Sequence, residues 1–258
     1  SNTIVSNSAT LGGSGLGDGY GGGLYLHRSD ATLIGNQVVT NSAGDQRWGE
    51  GGGVFLEGGA PYLRSNTIAG NRACRWGDGR GGGLALTGSE ATLEANAVVS
   101  NTATLSPTAR SEGGGIALWC SQPFTLTNNL VADNHAAQGS GLWSYCGKWG
   151  LTSGLLVHNT IADNRGSGAG ISVGPYTTLA LTNTILAGHT TGITVTSGST
   201  ATLQATLWWN NGANVGGGGT VYTATDVYGD PLFVDPATWD YHITGDSAAS
   251  AAICADPI

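Results

Sequence analysis

The sequence has no methionine, a single lysine (Lys148), and only 10% charged residues among 258. About a quarter is ordinary for charged residues. Helix-forming Lys, Glu and Met are scarce or absent, and no stretch keeps a helical period long enough for an αα-solenoid. No apolar run reaches the ~18 residues that a membrane-crossing helix needs. Basic residues number 9 against 17 acidic ones, a formal net charge of −8. Nucleic acid and membrane insertion are therefore excluded, since nucleic acid and anionic lipid both call for a basic face. Hydrophobic residues still make up 40%, which is too many for a disordered chain.

What the sequence has instead is glycine, 45 residues of it, where roughly 18 would be ordinary. They keep no Gly-X-Y period, so collagen is excluded too. Many stand in triplets that lead an apolar segment. Gly21-Gly22-Gly23-Leu24-Tyr25-Leu26 recurs as Gly51-Gly52-Gly53-Val54-Phe55-Leu56, as Gly81-Gly82-Gly83-Leu84-Ala85-Leu86, and as Gly113-Gly114-Gly115-Ile116-Ala117-Leu118. Weaker copies start at Gly139, Gly168 and Gly192. Between the copies runs a second motif, Ala-Thr-Leu-x-x-Asn-x-Val-x-x-Asn, as in Ala31 to Asn41. Its asparagines come in pairs five apart: Asn2/Asn7, Asn36/Asn41, Asn66/Asn71, Asn96/Asn101, Asn129/Asn134 and Asn159/Asn164. Asn183 opens a seventh copy, and Thr206 with Asn211 forms a degenerate eighth.

Successive first asparagines are 34, 30, 30, 33, 30, 24 and 23 residues apart. A repeat of this length, built of short alternating strands, describes one coil of a parallel β-helix. Each coil cannot bury its apolar face without neighbours. The extra length of the long coils is placed between the second Asn and the glycine triplet, so early coils bear a protruding loop there. Alternation turns Leu24 and Leu26 inward, and Tyr25 and His27 outward. The residue two after each first Asn is apolar, from Ile4 and Val38 to Ile185 and Trp208, which predicts an inward ladder. Asn suits a left-handed bend between strands, and its amide can bond the Asn above and below. Glycine triplets suit the tight turn into a strand. The expected fold is all-β: a parallel β-helix of about eight coils, with coils over residues 1–211. Residues 212–258 are read as a C-terminal coil or capping segment of the same domain.

The Gly-Gly-Gly-aliphatic and x-x-Asn alternation resembles the Gly-Gly-Ala-Ile and Phe-x-x-Asn repeats of chlamydial polymorphic outer-membrane proteins, with Leu in place of Phe, as in Leu33-Ile34-Gly35-Asn36. More broadly, the chain looks like the right-handed parallel β-helix proteins of bacterial surfaces. The ending Asp230-Pro231-Leu232-Phe233-Val234-Asp235-Pro236 is similar to the closing segment of many secreted members. The resemblance implies a right-handed solenoid and an extracellular or cell-surface location. Such helices host lyases, hydrolases, adhesins and fibres alike.

Four cysteines accompany the repeat. Cys120 and Cys146 each follow a third glycine by five residues, so they occupy equivalent places in adjacent coils, about 4.8 Å apart. That distance lies in the range a disulfide accepts, and the pair is predicted to be bridged. Cys74 and Cys254 fall several coils apart; a bond between molecules and two free thiols are the alternatives. The chain opens at Ser1 and shows no signal peptide, and so reads as a processed, exported protein.

The outward positions of the glycine-led strands carry Tyr25, Phe55, Trp119, Trp143 and Tyr145, and the neighbouring loops carry Trp48 and Trp76. From these, Trp48, Trp76, Tyr25, Phe55 and Trp143 are the candidate ligand-binding residues, as a sugar-binding strip or a protein contact. The alternative is that the loops fold down and the rings cover one another. Acidic residues of the loops alternate in offset: Asp18 and Asp78 lie five before a third glycine, Glu50 and Glu112 three before it. Asp133 and Asp163 stack on another face. Pectin-degrading solenoids need clustered Asp or facing carboxylates, and no such cluster, metal-ligand spacing or Ser/His/Asp set can be assigned. No cofactor, metal or catalytic residue is therefore expected. The reading is a structural or adhesive surface protein. The first segment, Asn2 to Asn7, has no cap before it, which allows head-to-tail assembly with copies of itself; the alternatives are that the chain is a fragment, or that the loop of residues 8–20 folds over that end. The alternatives are a polysaccharide lyase or hydrolase near Asp45, Arg47, Glu50, Asp78 and Arg80, and a carbohydrate-binding module using Trp48 and Trp76 to hold a glycan.

Overall fold

A computed structural model describes residues 1–10, 17–148 and 150–249. They form a right-handed parallel β-helix with three long faces. The first is a nine-stranded sheet that starts at Thr3–Val5 and ends at Val227–Tyr228. The second is an eight-stranded glycine-led sheet from Leu24–His27 to Ala213–Gly217. The third, also eight-stranded, runs from Thr32–Ile34 to Thr220–Ala224. Every pairing along these faces is parallel, as Leu84 between Val54 and Ile116 illustrates. Among the described residues no helix is long and apolar enough to cross a membrane.

Alternation explains the core. Ile68, Val98, Val131 and Ile161 point in from the first sheet, Leu56, Leu86 and Leu118 from the second, and Leu63, Leu93 and Leu126 from the third. Stacked coils put like on like, so each ladder is a continuous apolar column. Late in the first sheet the register departs from expectation. Ile161 pairs with Leu186, so Leu186 faces inward and Ile185 packs outward. The first-Asn place is taken by Thr184, and Asn183 lies one residue before it.

The asparagine amides bond along the helix axis. In the second ladder Asn41 Nδ2 donates to Asn71 Oδ1, and Asn71 Nδ2 to Asn101 Oδ1, each at 3.0 Å. The backbone N–H of each also donates to the next Oδ1, at 2.9 Å for Asn41 and Asn71. The bend itself is made one residue earlier than expected. Ser65, Ser100, Asp133 and Asp163 carry the left-handed φ, between 51° and 54°, and the ladder asparagines do not. An Asn with ordinary φ keeps its amide aimed along the axis, so the residue before it takes the turn and its strain.

The glycine triplet makes its own bend at the entry to the second sheet and leaves room for the ladder. Gly51 takes φ +61°, and a Cβ on Gly53 would sit 2.9 Å from the Asn71 amide nitrogen. The third glycine therefore leaves the space that the ladder amide fills.

The extra residues of the early coils are strands, not irregular loops. They add a three-stranded sheet (Ser42–Gly44, Arg72–Cys74, Thr102–Thr104) and a four-stranded one (Asp18–Tyr20, Trp48–Glu50, Asp78–Arg80, Ser111–Glu112). The two lie close enough that a Cβ on Gly49 would fall 1.8 Å from the Ala73 carbonyl oxygen. They make a thin fin on the side of the helix. In the coil that starts at Asn129 the extra residues fall elsewhere, between Leu142–Tyr145 and Thr152–Val157. Cys120 and Cys146 are joined beside that insertion, with Cα atoms 4.6 Å apart. Cys74 belongs to the fin, is fully buried and offers no thiol to another molecule. Cys254 and part of the loop of residues 8–20 lie outside the described residues.

After Val227–Tyr228 the chain turns back. Phe233–Asp235 and Asp240–Ile243 pair antiparallel, and Phe233, Tyr241 and Ile243 pack on the outward apolar residues of the first sheet. Tyr241 Oη donates to Asp163 at 2.8 Å.

Candidate functional site

The fin stands against the outer face of the glycine-led sheet, and the site lies in the angle between them. One offset organises it. Tyr20, Glu50, Arg80 and Glu112 each precede a third glycine by three residues, and the register stacks them in that order. Arg80 is 6% exposed. Its Nη1 donates to Glu50 at 2.8 Å and its Nε to Glu112 at 3.2 Å. Its guanidinium carbon lies 4.8, 4.1 and 5.1 Å from the rings of Trp48, Trp119 and Trp143. A buried arginine needs both kinds of partner: carboxylates for its charge, and flat polarisable rings for its faces. Trp48 Nε1 also donates to Glu50 at 3.0 Å. Burial still pushes the Glu50 carboxyl above its ordinary range.

Beside this buried knot opens a cleft of about 370 Å³, lined by Tyr20, Tyr25, Phe55, Glu57 and Trp119, with Glu50, Arg80 and Thr87 completing it. Tyr25 and Phe55 occupy the same column of adjacent coils, ring centres 5.2 Å apart, and Tyr20 leans on Phe55 at 5.3 Å. Glu57 accepts a hydrogen bond from Tyr25 Oη and lies 2.9 Å from His27 Nδ1. Those contacts hold the Glu57 carboxyl below its ordinary range and push Tyr25 up to about 12.

The candidate residues divide. Tyr25 (48% exposed) and Phe55 (4%) line the cleft. Trp143 (3%) is stacked on Tyr145, packs against Trp119 and does not line the cleft. Trp48 is half-buried and holds Arg80. Trp76 (50%) stands apart in the fin's outer turn beneath Arg75. So the fin does fold down over some rings, and it leaves Tyr20 and Tyr25 open. Tyr20 had no role in the sequence reading, and Arg80, there grouped with Glu50 in a loop cleft, was not matched to Glu112, with which it pairs. Counting every residue from the third glycine, and not the acids alone, would have aligned them.

The carboxylates near the fin are engaged. Asp18 lies 3.5 Å from Arg47, and Asp78 accepts from the Arg110 backbone at 2.9 Å. Glu50 and Glu112 flank Arg80, about two strand spacings, or 10 Å, from each other. Arg80 fills the gap that a hydrolytic water would need. Asp133 and Asp163 do stack, and Arg165 Nη2 lies 3.0 Å from Asp133. Among the described residues, no group of three or more His, Cys, Asp or Glu could hold a metal ion.

A larger hollow, about 660 Å³, lies under the C-terminal hairpin between Leu130, Leu207, Trp239 and Tyr241. It is lined by no Asp, Glu, Arg or Lys and ends at Ala249, the last described residue. The grouped chemistry is at the fin.

The family model described as "Right handed beta helix region" matches residues 1–208. No curated protein matches the chain.

Proposed function

The chain belongs to the right-handed β-helix family, and from that premise we propose that it is an adhesive module that works outside the cytoplasm and grips a saccharide in the cleft between Tyr25 and Trp119. The observation that carries this is the cleft's construction. Two open tyrosine faces pack on the buried ring of Phe55, with a carboxylate at the rim held in place by Tyr25 and His27. Apolar faces with a few fixed polar groups are what a small-ligand site needs. Ring faces meet the C–H faces of a pyranose, and Glu57 accepts from its hydroxyls. Catalysis is disfavoured because Glu50 and Glu112 are both committed to Arg80, leaving neither free as acid or base. The Cys120–Cys146 bridge supports an oxidising compartment. The likeness of the repeats to chlamydial surface proteins supports a place at a cell surface.

A glycan array, followed by analysis of the bound glycans for new ends, tests the proposal. The expected outcome is retention of a defined glycan set, with no reducing or unsaturated ends produced. Tyr25→Ala should weaken retention by about tenfold. Release of such ends would replace this reading with the lyase or hydrolase one.

A further inference from the structure

The charges around the cleft are unequal, and their arrangement says which saccharides fit. Among the described residues that line it, Arg80 is the only Arg or Lys. Its Nη1 and Nε are taken by Glu50 and Glu112, both nearly buried with it. Two carboxylates to one guanidinium leave that knot negative. A carboxylate on a ligand would therefore find no free donor on Arg80 at the two positions already engaged. Glu57 adds another carboxylate at the rim, with its side chain 39% exposed. The hydrogen bonds from Tyr25 and His27 favour its ionised form. Arg28 also acts on Glu57 from the preceding coil, but does not line the cleft. The open rings of Tyr20 and Tyr25 present negative π-faces to whatever enters. The whole chain carries a net −8, which draws cations toward it.

We propose that the cleft selects a saccharide carrying a protonated primary amine, with the ammonium on Glu57 and the sugar face against Tyr25 and Tyr20. This rests on the saccharide reading above and narrows it. Acidic saccharides such as uronates are disfavoured by the same charges. An N-acetylated sugar keeps the ring contact and loses the ion pair.

The test is calorimetric titration of the whole protein with three oligosaccharides of equal length: a glucosamine oligomer, its N-acetylated counterpart and an oligogalacturonate. The free amine should bind about tenfold more tightly than the N-acetyl form, and the oligogalacturonate most weakly. Glu57→Gln, a surface change, should erase the preference by bringing the amine form down to the N-acetyl form's affinity. Equal affinity of the first two oligomers in the unaltered protein overturns the proposal, as does a preference that survives Glu57→Gln. If none of the three binds, yet another glycan is retained and lost in Tyr25→Ala, the amine proposal fails and the saccharide reading stands. If no glycan is retained at all, both fail.

Discussion

Between Asn41 and Gly51 the chain runs through two extra strands, Ser42–Gly44 and Trp48–Glu50; between Asn164 and Gly168 it makes only a turn. The coils on either side of that difference share one core. Leu84 and Ile171 occupy the same inward column and are equally buried. What differs is what stands on the core. In the early coils the added residues obey the same stacking rule as the coil itself, which is why they form sheets. Stacking then places Tyr20, Glu50, Arg80 and Glu112 in one row over the outer face. In the late coils that outer face carries Ser172, Thr194 and Gly216 in the column of Tyr25 and Phe55. A solenoid can thus add a site to a few repeats while the others remain scaffold.

The strongest challenge to this division is Arg80→Ala. It leaves Glu50 and Glu112 without their cation and takes the shared face from three tryptophans. A loss of about 3–5 kcal/mol is expected by analogy with broken buried ion pairs. Denaturant melts should show it. Hydrogen exchange should place the loosening in the fin, with the late coils still protected; loss spread evenly over all coils would erase the distinction.

The late coils have their own exception. His189 takes a second-Asn place, with Nε2 3.3 Å from Asn164 Nδ2 and Nδ1 3.2 Å from Asn211 Oδ1. Only a neutral ring with its proton on Nδ1 serves both neighbours. Burial lowers its pKa from 6.5 to about 4. Between those values the unfolded chain binds a proton that the folded one refuses. Stability should fall as pH drops through that window, by roughly 3 kcal/mol at its lower end, and level off below it. His189→Asn restores the ladder and should flatten that part of the pH–stability curve. An unchanged slope would mean that the ring is not held neutral.

The fold was legible because its signals repeat. Asn71, Gly53 and Ile68 make their ladders in every early coil, so position alone predicts partner. The Cys120–Cys146 pairing was legible for the same reason. The bend was placed one residue late, because Asn tolerance of left-handed φ is a local preference and the ladder's hydrogen bonds outweigh it. Where Thr184 and His189 replace asparagine, the spacing no longer marks the register, and Ile185 was assigned inward. The site was half legible. Tyr25 and Phe55 follow from alternation, whereas the knot of Arg80 depends on the fin folding back, which no period within one strand reveals.

The smallest effect on stability and the largest on binding should come from one surface ring. Tyr25→Ala removes an exposed side chain and should cost less than about 1 kcal/mol. Tyr222, 61% exposed on the third sheet of a late coil, is its counterpart. Glycan retention by Tyr25→Ala and by Tyr222→Ala, measured side by side on the same array, is the most direct test of where the function sits. The first variant should lose retention by about tenfold and the second should keep it. Retention kept by Tyr25→Ala and lost by Tyr222→Ala would contradict that placement.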